Sequence, residues 1–170
     1  MTFRQKVTRA FAHRSLPAEV LAPESYRQFD SDVEETLWFI SRDWRTVSWQ
    51  DWRERYATIF FLSPGAFAYY LQSLLCLTAE NATDSLLAAE AVIHALDRSP
   101  STEGWDESFR KRFTALTSAE LDCLEEWLLI LCEFPAYRSY GAASGGPGDT
   151  FGRAIDTITL LRSQLTPGQN

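Results

Sequence analysis

The chain has 170 residues, 45% of them hydrophobic and 14% aromatic, with six Trp, so it can bury an ordinary single-domain core and is not composed like a disordered segment. Its net charge of −7 argues against a nucleic-acid partner, because phosphate binding needs concentrated Lys and Arg, and favours solubility and attraction to a basic partner. No apolar run approaches the length of a membrane span. Three cysteines (Cys76, Cys123, Cys132) in apolar helical runs read as buried free thiols, and two histidines are too few for a metal cage. These features predict a cytoplasmic protein that needs neither metal nor cofactor.

The first eighteen residues carry Arg4, Lys6, Arg9 and Arg14 and no acid, a superficial likeness to an organelle transit peptide. Phe3, Val7, Ala10 and Phe11 nevertheless form a helical stripe. The expectation is a basic amphipathic helix over 2–14, docked on an acidic bundle. Leu16-Pro17 and Ala22-Pro23 then break the pattern, so 1–30 reads as one helix plus an irregular segment.

Helix starts are legible along the rest of the chain. Ser31-x-x-Glu34 and Thr117-x-x-Glu120 are capping-box patterns, Ser48 with Asp51 is a weaker one, and Ser63-Pro64 combines a cap with a first-turn proline. They predict helices over 31–41, 48–57, 63–79 and 117–134, joined by others over 83–97, 104–114 and 150–165. After Ser63, Phe67, Tyr70, Leu71, Leu74, Leu75 and Thr78 recur with the period of one broad buried face. Ile59-Phe60-Phe61-Leu62 could pass for a strand but is too brief to outweigh its helical surroundings. Leu121, Leu124, Leu128 and Leu131, with Trp127, Leu129, Ile130 and Phe134, spread apolar surface almost round the 117–134 helix, which is expected at the centre. Gly141 to Gly148 reads as a flexible tether over 141–149 before the last helix. The fold class expected is all-α: one domain over 1–170, a helical bundle of about seven to eight helices.

Few groups suggest chemistry. Ser144 lies in G-A-A-S-G, which is not the nucleophile elbow. His94, four residues from both Glu90 and Arg98, reads as part of a helix-face charge ladder. Asp30, Asp32, Glu34 and Glu35 put four carboxylates in six residues at a helix start, more than capping and the helix dipole require. A second acid group, Asp122, Glu125, Glu126 and Glu133, lies on the polar side of the 117–134 helix. Trp38, Phe39, Trp44, Trp49, Trp52 and Tyr56 fall within nineteen residues, with Trp49, Trp52 and Tyr56 on one helix face. Core packing explains most of them, while residual exposed rings would suit a protein interface.

Trp44, Phe61-Leu62-Ser63-Pro64 and Ala66-Phe67-Ala68-Tyr69-Tyr70-Leu71 resemble a family of small bacterial proteins with the pattern W…fLtPeAFrYyLPayL, a domain of unknown function. Phe113-x-x-Leu116-Thr117-x-x-Glu120 adds to the likeness, which covers residues 31–134. Gln72 departs from it, standing where the pattern has proline. The resemblance implies a helical fold and a bacterial cytoplasmic setting, and it brings no catalytic residues.

The function expected is a non-catalytic protein-binding module, in its most concrete form an immunity-type protein that neutralises a basic toxin. Its candidate contact residues are Asp30, Asp32, Glu34, Glu35, Trp44, Trp49 and Trp52. Two other readings stay open: a carboxylate-based or metal-dependent hydrolase using the acids at 30–35 or 122–133, and a self-associating structural helical protein.

Overall fold

The computed structural model describes residues 1–23, 30–140 and 149–165. Among them are eight α-helices: α1 (Phe3–Ala10), α2 (Asp30–Leu37), α3 (Trp49–Glu54), α4 (Pro64–Ala79), α5 (Leu87–Leu96), α6 (Glu107–Phe113), α7 (Ser118–Cys132) and α8 (Thr150–Gln164). Short 3-10 segments occupy Trp44–Thr46, Tyr56–Phe60 and Pro135–Tyr137. The all-α bundle expected from the sequence is what forms. The expected glycine-rich tether lies outside the described residues, except for Asp149, whose side chain caps α8 through Gly152 N–H.

Most helices begin where their caps dictate. Thr117 and Ser48 both form complete capping boxes, with Glu120 and Asp51 as the reciprocal acids, and Ser63 accepts from Ala66 N–H ahead of Pro64. Thr2 with Gln5 builds a third box at α1. Ser31 is a correction: α2 is already under way at Asp30, so Ser31 lies inside the helix and does not cap it. Helix α5 also starts later than expected, at Leu87. The Asn81 side chain explains this, since its Oδ1 accepts from Thr83 N–H, Thr83 Oγ1 and Asp84 N–H, folding 81–84 into a turn that competes with helix.

The central helix is α4, not α7. Every residue from Ala66 to Cys76 is buried, and α1, α5, α6 and α7 all pack on it. Small residues (Ala66, Ala68, Ser73, Cys76) let those neighbours approach from several sides, and the few polar groups are satisfied inside. Ser73 Oγ accepts from Trp52 Nε1 at 2.8 Å, and Thr78 Oγ1 from Trp127 Nε1 at 2.7 Å. Gln72 donates to Tyr69 O within an unbroken helix. Helix α7 must turn Asp122, Glu125 and Glu126 outward, so its opposite face alone is buried and Leu129 is half exposed.

The basic N-terminal helix docks as expected on acidic neighbours. Arg4 pairs with Glu80 on one side, Lys6 with Glu126, and Arg14 with the fully buried Glu120. The chain then passes Val20 to Ala22 beside Phe61 to Ser63, with Ala22 N–H donating to Phe61 O and Ser63 N–H to Val20 O. This isolated bridge between Leu21 and Leu62 is the only strand-like pairing among the described residues; Ile59 and Phe60 belong to a 3-10 helix instead. No described helix is long and apolar enough to cross a membrane.

Candidate binding surface

Helix α2 is positioned by the turn that follows it. Phe39 is fully buried against Trp52 and Tyr70, with ring centroids 5.2 and 4.7 Å away, and Tyr70 Oη donates to Phe39 O and to Arg42 O. Burial raises the Tyr70 hydroxyl well above the ordinary phenol range, so it stays a donor. Trp38 lies between two guanidiniums, Arg42 at 3.7 Å and Arg55 at 4.3 Å from its ring centre. With the inner side so anchored, the outer side of α2 is fixed toward solvent. It presents Glu34 and, one turn on, Leu37, followed by Ile40 in the turn, which is 52% exposed.

The carboxylates differ in what surrounds them. Asp30 is the first residue of α2. Asp32 and Glu35 are half-buried and Glu34 is exposed, and among the described residues none of these three carboxylates has an ion pair or hydrogen bond. The second acid group is neutralised in the fold. Arg162 of α8 binds both Asp122 and Glu125, and Lys6 binds Glu126; Glu133 is left at the exposed C-terminal cap of α7. Among the described residues no three His, Cys, Asp or Glu side chains gather in a way that could hold a metal ion.

The three candidate tryptophans are not brought together as one surface. Trp44 is 4% exposed and Trp52 fully buried, so both are core side chains. Trp49 is half-buried, with an open edge. Trp38, Phe39, Trp44 and Trp52 are taken up by contacts to α4 and by arginine stacking, which the sequence pattern does not disclose. Sequence reading passed over the exposed apolar residues Leu37, Ile40 and Phe60, because each falls within a run whose other members are buried. Phe60 belongs to the Tyr56–Phe60 segment, which packs against both α2 and α5, and Tyr56 in the same segment is 44% exposed.

The Glu90, His94, Arg98 ladder also does not form. Helix α5 ends at Leu96, and Arg98 turns away to Asp106 and over the Phe109 ring. Glu90 accepts from Tyr140 Oη at 2.7 Å, and the His94 ring meets Tyr140 edge-on. Those contacts give His94 a packing partner and no orienting carboxylate.

The two buried thiols, Cys76 and Cys123, are inert. Cys76 is pushed up to about 11 and Cys123 to about 12, in both cases chiefly by burial, so neither is a thiolate near neutrality. Comparison with protein-family models, with curated proteins and with solved structures finds no match.

Proposed function

We propose that this protein is a non-catalytic binding module of the bacterial cytoplasm, of the immunity type, which neutralises a basic toxin docked on the outer face of α2. The observation that carries the reading is the contrast in charge partners. Among the described residues the carboxylates of Asp32, Glu34 and Glu35 have no cation partner, whereas those of Asp122, Glu125 and Glu126 have one. Unneutralised acids produce an outward field that steers a basic partner. Leu37 and Ile40 beside them supply apolar area to hold it.

The test is rescue of cells that express a basic toxic domain encoded by a neighbouring gene. Co-expression of this chain restores growth, and the combined substitutions Glu34→Lys, Glu35→Lys and Leu37→Asp abolish rescue with no loss of thermal stability. The charge substitutions alone slow association by about tenfold at low salt, with a smaller effect at high salt. Full rescue by the triple variant removes α2 from the reading, and absence of rescue by the parent chain removes the toxin.

A further inference from the structure

A cleft of about 420 Å³ opens on the side of the molecule where α3 meets the loop before α5, lined by Trp49, Arg53, Thr83, Asp84, Ser85 and Ala136. We propose that it binds a small zwitterion of the α-amino-acid class. Three observations support this, and they are independent of the toxin reading.

The first is an unsatisfied pair of opposite charges. Arg53 and Asp84 are both exposed and line the same cleft, yet among the described residues neither side chain has an ion pair or hydrogen bond, with each other or with anything else. Elsewhere in the fold arginines close on carboxylates, as Arg4, Arg14, Arg55, Arg98, Arg153 and Arg162 do. A cation and an anion that line one concave space without pairing fit a ligand carrying both charges. The Arg53 guanidinium takes a carboxylate through its planar donors, and Asp84 takes an ammonium. An anion alone would be repelled by Asp84, and a cation alone by Arg53.

The second is the third wall. Trp49 precedes Arg53 by one helical turn, so both belong to one face of α3, and its half-buried indole supplies part of the cleft wall, the rest of which is mostly polar. The cleft volume lies in the range of small-molecule sites.

The third is that the walls are set before any ligand arrives. The Ser48–Asp51 capping box fixes the start of α3 beneath Trp49. The Asn81 side chain fixes the turn that carries Thr83 and Asp84. Leu86 N–H donates to the Oη of the fully buried Tyr137, which ties down the far end of the loop beside Ala136. A site that needs little ordering on binding keeps more of its interaction energy.

The experiment is titration of the full chain with L-leucine and L-phenylalanine, followed by calorimetry and by ligand-observed NMR, alongside their N-acetyl and C-amide derivatives and glucose. Saturable binding of a free amino acid is expected, weakened by about tenfold or more when either terminus is blocked. Arg53→Gln is expected to erase the penalty for amidation and Asp84→Asn the penalty for acetylation. Both residues are exposed and, among the described residues, unpaired, so thermal melts of these variants should match the parent. No saturable binding of any free amino acid at millimolar concentration overturns the proposal. So does glucose binding as well as they do, or binding that ignores the capping of both termini.

Discussion

The most demanding test of the fold concerns Arg14 and Glu120. Glu120 is fully buried, and its carboxylate accepts from Arg14 Nε at 2.7 Å, Arg14 Nη2 at 2.6 Å and Thr117 N–H at 2.7 Å. Arg14 also donates to Ala115 O. Arg14→Met keeps the aliphatic stem and removes both charge-assisted bonds, leaving the buried carboxylate with only the Thr117 N–H and His13 Nε2, 3.6 Å away. Loss of one partner of a buried pair costs about 3–5 kcal/mol, and the Arg14 side chain is 18% exposed, so water can enter and the lower end applies. The expected cost is therefore about 3 kcal/mol. Glu120→Gln should cost less, because the amide oxygen still accepts the Thr117 cap and the charge left behind, that of Arg14, reaches solvent. The double variant Arg14→Met with Glu120→Gln should recover about 1–2 kcal/mol relative to additivity. Urea melts of the four proteins measure this cycle, with the midpoint read at constant slope. A cost below about 1 kcal/mol for Arg14→Met, or strict additivity in the double variant, would refute the claim that this ion pair locks α1 against α7.

Thr78→Val should cost about 1–3 kcal/mol, because Trp127 Nε1, fully buried, loses its acceptor at nearly constant volume; a chemical melt unchanged within about 0.5 kcal/mol would contradict this. Acid stability follows from depressed carboxylates: Asp97 is held below its usual 3.8 by the hydrogen bond from Arg153, and Glu80 below its usual 4.5 by that from Arg4. The unfolded chain binds these protons more readily, so their contribution is complete above about pH 5 and is lost as pH falls through the folded values. Asp97→Asn should flatten the melting-temperature curve below about pH 4, and an undiminished slope would exclude Asp97 as a source. Alkylation with iodoacetamide should modify Cys132, which is half-buried, before Cys76 and Cys123, whose labelling should wait for unfolding; equal rates in the native state would count against the packing of α4 and α7.

The elements readable in advance were those with short-range causes. A capping box spans three residues and an amphipathic stripe repeats within a turn, so Thr117, Ser48 and Ser63 announced α7, α3 and α4. Where a local competitor intervened, the reading drifted, as when the Asn81 turn delayed α5 to Leu87. Among the candidate contact residues, the α2 acids were visible as an excess of charge, but that Asp32, Glu34 and Glu35 have no partner among the described residues was not. The burial of Trp44 and Trp52 was equally hidden, because a ring's partners lie on other helices.

By itself the sequence determined helix content, most helix starts, and the docking of a basic first helix on acidic neighbours. Only the tertiary structure decided that α4 lies at the centre, that Arg162 and Lys6 pair with Asp122, Glu125 and Glu126 while Asp32, Glu34 and Glu35 have no cation among the described residues, and that Arg53 and Asp84 line one cleft. The physical reason is range. Caps and periodicity act within one or two turns, whereas a carboxylate's partner can stand more than a hundred residues away, as Arg14 does from Glu120, and only the packing of the whole chain brings the two into reach.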